Sequence, residues 1–138
     1  MKKALTVLLA VAMMFCFSAT AFAAQFNDVD NNSKVAKDAI NKVAALGIVD
    51  GYDDGGFHPG DTITRAEFAK MADIASGLKD SAKQMEGVNS EFTDVKTGVW
   101  YTGWVNLASA QGYVKGYENG TFGPNNTITY AEVVTVLM

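Results

Sequence analysis

Arg65, at the head of Thr64-Arg65-Ala66-Glu67, is the residue best equipped for recognition chemistry in this chain. A guanidinium presents a planar fork of donors that grips a carboxylate bidentately, and a helix start adds the attraction of its dipole for anions. Trp100 offers a second kind of contact, a flat apolar face on which a sugar ring can stack. Bond-making chemistry has no comparable footing. Cys16 and His58 are the only residues of their types, and no Ser–His pairing or carboxylate pair stands in a recognisable catalytic setting. Asp28, Asp30 and Asn32 alternate as calcium ligands do, but Ser33 stands where such a loop needs glycine and Ala39 where it needs a bidentate acid. His58 lacks the companions a metal would require. These residues predict a binding protein that is not an enzyme and uses no cofactor.

Each candidate also has an ordinary structural role. Arg65 can be a solvated first-turn residue, and Glu67 and Glu132 are accounted for by helix capping. Tyr52 and Tyr117 fit as loop packing. Trp100 stands between core residue and stacking platform, while Trp104, beside Val105, reads as core.

The start of the chain belongs to export. Lys2 and Lys3 precede an apolar run from Ala4 to Phe17, and Ala21-Phe22-Ala23 places small residues before a cut. Residues 1–23 therefore predict a secretory signal peptide, too short and wrongly flanked for a membrane span. The bulky Phe15 before Cys16 speaks against a lipoprotein site. Cleavage removes Cys16, so the exported part has no disulfide, which suits a bacterial surface protein better than a stapled animal domain. Nine basic residues against fifteen acidic ones then leave a net charge of −6. That balance excludes nucleic acid as a natural partner and repels acidic glycans at long range, so binding one requires locally concentrated donors.

The elements that hold these residues occur twice. Gly47, Tyr52, Phe57, Pro59 and Glu67 return as Gly112, Tyr117, Phe122, Pro124 and Glu132, all 65 positions on. Such a repeat fixes the architecture. Phe26-Asn27-Asp28-Val29 opens the first copy and Phe92-Thr93-Asp94-Val95 the second, with Asp28 and Asp94 placed to tie down a turn. Val35, Ala39, Ile40, Val43 and Leu46 recur at helical spacing and end at Gly47; Trp100, Trp104, Val105 and Ala108 do the same before Gly112. Short extended pieces follow, with tight turns at Asp54-Gly55 and Asn119-Gly120 that match primed hairpin geometry. Thr64 with Glu67, and Thr129 with Glu132, are capping boxes that start a second helix in each copy. The first of these helices ends at Gly77 or runs on weakly from Lys79 to Glu86; residues 78–91 read as a polar spacer. The last helix runs apolar through Val136, Leu137 and Met138 without a cap, which predicts a longer natural chain.

Together the Phe-x-Asp-Val opening, the Gly-Tyr loops, the Gly-x-Phe-x-Pro turns and Ile63-Thr64-Arg65-Ala66-Glu67 resemble the S-layer homology domain. The resemblance covers residues 24–77 and 92–138. It implies a mainly α fold of tandem helix–loop–helix repeats with short extended or hairpin segments, part of a three-prong-like spindle. It also implies non-covalent attachment to a cell-wall polysaccharide or peptidoglycan-linked glycan, often pyruvylated, in grooves between prongs at the bacterial cell surface. By this resemblance Arg65 meets the acidic sugar, Asp28 and Asp94 match the family's opening Asp, and Gly51 and Gly116 match loop glycines that admit a ligand to the backbone. Trp100 matches an aromatic that the first copy replaces with Val35, and Tyr130 replaces the arginine in the second copy. Arg65 and Trp100 are therefore expected to complement each other in one groove. Alternatives are an S-layer assembly or homo-oligomerisation module, completed by a further repeat, and the anchor of a surface enzyme.

Overall fold

The computed structural model describes residues 26–30 and 33–137; the signal peptide expected over residues 1–23 lies outside them. Five helices follow in order: α1 Lys34–Ala45, α2 Arg65–Ala75, α3 Lys79–Gln84, α4 Thr102–Ala110 and α5 Tyr130–Leu137. Among the described residues there is no extended strand, only one isolated bridge between Thr64 and Thr127. The fold is mainly α, and α1/α2 and α4/α5 are the paired helices of two repeats. No helix among the described residues is long and apolar enough to cross a membrane.

Local chemistry sets the helix boundaries. At Thr64 the hydroxyl accepts the Glu67 N–H while the Glu67 carboxylate accepts the Thr64 N–H, so two donors without helical partners are satisfied. Thr129 and Glu132 make the same exchange at α5. Gly47, Gly77 and Gly112 end α1, α2 and α4 in the left-handed conformation. At Gly47 the next N–H, that of Ile48, turns back to the Val43 carbonyl at 3.0 Å, and Tyr113 N–H repeats this at the Ala108 carbonyl, 2.9 Å. Gly77 thus separates α2 from α3, and the polar stretch after it forms a helix that packs on α4. Ala82 of α3 is buried, and its carbonyl lies where a side chain on Gly103 would have to go.

The loop turns depart from the expected primed hairpins. Gly55 and Gly120 have positive φ, but the aspartate and asparagine before them do not. Gly55 N–H donates to Tyr52 O at 2.9 Å and Tyr52 N–H to Gly56 O at 2.9 Å, a three-residue turn closed by a left-handed glycine. The Asp54 carboxylate favours this form by accepting the Gly56 N–H at 2.9 Å.

The main core joins the two repeats. Ala66 and Ala69 of α2 pack with Phe92, Val95, Val105, Ala108, Val114 and Phe122 of the second repeat. A smaller cluster, Phe26, Val29 and Ile40 with Ala44 and Phe57, holds α1 to its own loop. The apolar face expected along α1 is only partly covered. Ile40 is buried, but Val35 is 80% exposed and Leu46 is also exposed, because among the described residues α1 packs on that loop alone.

Candidate functional site

Each repeat builds a long loop on its opening aspartate. Asp28 accepts the Phe57 N–H on one oxygen, at 2.8 Å, and the His58 N–H on the other, at 2.7 Å. Asp94 does the same with Phe122 and Gly123, at 2.7 and 2.8 Å. The Phe57 N–H, aided by that of His58 and opposed by burial, holds the Asp28 carboxyl below the usual carboxylate range. These two acids clasp the returning limb of the loop, some 28 to 30 residues away in sequence. Neither is among the residues that line the two grooves beside the seam.

Gly51 and Gly116 are packing devices as well as groove residues. A Cβ on Gly51 would run into the Phe26 ring, and one on Gly116 into the Phe92 ring, so each glycine lets its repeat's first phenylalanine lie flat on the loop. The close approach that the loop glycines permit is therefore to a side chain of the same repeat.

Arg65 lies at the seam and is only 5% exposed. Its Nε donates to Phe122 O at 2.9 Å, one terminal nitrogen donates to Lys115 O at 2.6 Å, and the other pairs with Glu132. The guanidinium also sits 4.6 Å from the Phe122 ring centre and 4.8 Å from that of Tyr117. Around it the Arg65 and Ala66 N–H groups donate to Asn126 O and Pro124 O at 2.9 and 3.1 Å. The first turn of α2 is thus plugged into the second repeat's loop. The Glu132 carboxyl is held below its ordinary range, first by the Thr129 N–H and hydroxyl and then by Arg65. Capping alone does not account for this glutamate; it also receives the arginine, a role visible only when the repeats are docked.

Two grooves flank the seam, and they are equivalent under the 65-residue offset. The larger, about 790 Å³, is lined by Gly51, Tyr52, His58, Glu67, Lys70 and Trp100, with Asp50, Asp53 and Asp61 at its edge. The smaller, about 240 Å³, is lined by Gly116, Tyr117, Lys115, Glu132 and Arg65. Trp100 and Arg65 are therefore in different grooves, which corrects the expectation that they share one. The physical reason is direction: Trp100, just before α4, reaches back to the first repeat's loop, whereas Arg65 reaches forward to the second repeat's. Each groove thus takes one wall from the neighbouring repeat.

Trp100 is 54% exposed and meets Tyr101 nearly at a right angle, 5.4 Å between ring centres. Tyr52 and His58, both in the lining of this groove, touch at right angles, 4.9 Å between ring centres. Lys70 pairs with Asp50 at 2.9 Å. Tyr52, His58 and Lys70 were not singled out for binding from sequence; their shared loop and helix face carries no motif beyond the repeat itself.

His58 is held in positive φ, with Nε2 2.8 Å from Asp54 and Nδ1 3.4 Å from Asp61. Its hydrogen bond to Asp54 raises its pKa above the ordinary histidine value. The sign follows directly: the ion pairs contribute in full below the unfolded pKa and are lost as pH rises through the raised folded value. An NMR titration should place the His58 midpoint above the ordinary histidine value, and Asp54→Asn should bring it down.

These features define a class: tandem helix–loop–helix repeats whose grooves are built jointly by neighbours. The S-layer homology domain model matches residues 25–69 and 91–134, and the chain belongs to that family. It is similar along its whole length, at 39% identity, to a surface layer protein of Brevibacillus choshinensis and a middle cell wall protein of Brevibacillus brevis, covering 12% and 13% of them. A cellulosome-anchoring protein of Acetivibrio thermocellus is 34% identical over 72% of the chain and is covered over 22% of its length. The chain thus spans about an eighth of the length of the first two relatives.

Proposed function

We propose that this chain attaches an exported protein non-covalently to the bacterial cell wall by binding wall glycan in the groove between Tyr52 and Trp100. The observation that carries this reading is the half-exposed Trp100, set from the second repeat beside a groove of the first that mixes apolar and charged side chains. Aromatic faces with nearby carboxylates suit the alternating apolar and hydroxylated surfaces of a sugar chain. Asp50, Asp53 and Asp61 supply acceptors for hydroxyls, and His58 and Lys70 supply donors. Family membership supports it, as do the names of the relatives, which are surface-layer, cell-wall and anchoring proteins.

The acidic edge of this groove favours neutral sugar units there. A ketal carboxylate, as on a pyruvylated polysaccharide, fits better at the smaller groove, where Arg65 already offsets the single acid Glu132 and Lys115 is exposed.

Sedimentation with purified cell walls, intact or stripped of secondary polysaccharide, tests the proposal. The protein should pellet with intact walls and stay soluble with stripped ones. Trp100→Ala should weaken retention roughly tenfold, the loss of one stacked contact of about 1.4 kcal/mol. Equal retention by both wall preparations would rule the proposal out.

A further inference from the structure

We infer that Asp54, His58 and Asp61 form a clasp that positions the Tyr52 wall of the larger groove. It closes while the imidazole is protonated, and the second repeat has no counterpart. His58 stands where the second copy has Gly123, and both are in the left-handed conformation, φ 57° and 69°. Among the described residues His58 is the only one other than glycine with positive φ, a conformation that costs any residue with a Cβ. Such strain persists where surrounding contacts over-determine it, and it gathers at functional sites.

Three further positions change together with this one. Asp54 and Asp61 become Asn119 and Asn126 in the second copy, so both carboxylates accompany the histidine and both are amides without it. Gly56 becomes Thr121. A Cβ on Gly56 would come within 2.9 Å of the His58 ring, so this glycine makes room for the imidazole. In the second copy Asn126 and the Tyr117 ring close over Gly123 instead, and the Thr121 hydroxyl donates to Asn119 at 2.7 Å. The side chain and the space for it have changed places between the repeats.

Both ring nitrogens of His58 face carboxylates, Nε2 at 2.8 Å from Asp54 and Nδ1 at 3.4 Å from Asp61. A neutral imidazole has one N–H and turns a lone pair on the other acid; only the cation serves both. Asp54 gives its other oxygen to the Gly56 N–H, inside the turn that the Tyr52 and Gly55 N–H groups close. The ring also touches Tyr52, so the clasp ties the turn, the returning limb and the groove wall together. Asp28 adds a third carboxylate, bound by the His58 backbone N–H at 2.7 Å. Asp50, Asp53 and Glu67 line the same groove, and Lys70, the other cation in that lining, is already paired with Asp50. Loss of the proton therefore leaves acids facing one another. The hydrogen bond to Asp54 raises the His58 pKa, so the clasp is complete at lower pH and lost as pH rises through that raised value.

The effect on wall binding rests on the glycan reading of this groove; the clasp itself does not. The full chain, Asp54→Asn and His58→Gly are compared from about pH 5 to 9. Both replacements are what the second repeat carries at these places, so the loop keeps its fold. Without any glycan, protection of the Tyr52 and Gly55 amides against exchange should fall roughly three- to fivefold through the His58 midpoint, the scale of an exposed ion pair. Retention on intact cell walls should fall over the same interval. Asp54→Asn should move both steps to lower pH, and His58→Gly should abolish both. Amide protection that ignores the His58 midpoint, or steps equally in His58→Gly, would overturn the clasp. Wall retention that stays flat while the amides respond would overturn its role at the groove. A chain that binds no wall at any pH would reject the glycan reading, with the amides still deciding the clasp.

Discussion

Asp73→Asn should stabilise the protein at pH 8 by up to about 4 kcal/mol while leaving it almost unchanged at pH 4. Asp73 lies on the inner face of α2, its side chain fully buried, and among the described residues neither carboxylate oxygen has a partner. Burial without compensation pushes its pKa from 3.8 to about 7. The folded state therefore holds a proton that the unfolded state has released between about pH 4 and 7, and stability falls as pH rises through that window. Above it the full penalty applies: about three pKa units at 1.36 kcal/mol each. Asparagine resembles the protonated acid in shape and charge, so it leaves the acid-side stability alone and removes the alkaline loss. Urea unfolding of both forms at pH 4, 6 and 8 measures this. Parallel pH curves for the two proteins would show that Asp73 is not the source.

Arg65→Ala should cost about 3 kcal/mol or more and uncouple the repeats. The substitution removes three hydrogen-bonded contacts and two ring contacts, and leaves Glu132 and two carbonyls facing a hole. Breaking a buried ion pair from one side costs about 3–5 kcal/mol, and the partial exposure of Glu132 places this case toward the lower end. Arg65→Lys should recover only part of the loss, because one ammonium cannot reach three acceptors lying in different directions. Equilibrium unfolding should broaden or split in Arg65→Ala, since α2 carries the contacts that tie the first repeat to the main core. A sharp transition at wild-type stability would place the coupling elsewhere.

Arg65, expected from the family resemblance to meet an acidic sugar, spends its donors on the seam. Its neighbours in sequence show only a helix start, yet its partners are 50 to 67 residues away. Asp73 was not read from the sequence. The structure buries it in step with Ala66 and Ala69 on the inner face of α2. That its carboxylate finds no partner depends on what packs over it, which spacing does not reveal. Tyr52, His58 and Lys70 became groove residues only when Trp100 closed one side.

The sequence by itself determined the repeat, the helix starts at Thr64 and Thr129, the glycine stops and the family, because caps and turns are bonds between residues a few positions apart. Those signals survive in any environment that leaves the backbone to fold locally. Only the tertiary structure decided that Arg65 and Trp100 serve different grooves and that the seam runs one way. It also showed that Glu132 receives Arg65 besides capping its own helix. Partner choice across a seam depends on how two rigid units dock, and nearly identical local sequences can occupy either side of a one-way contact.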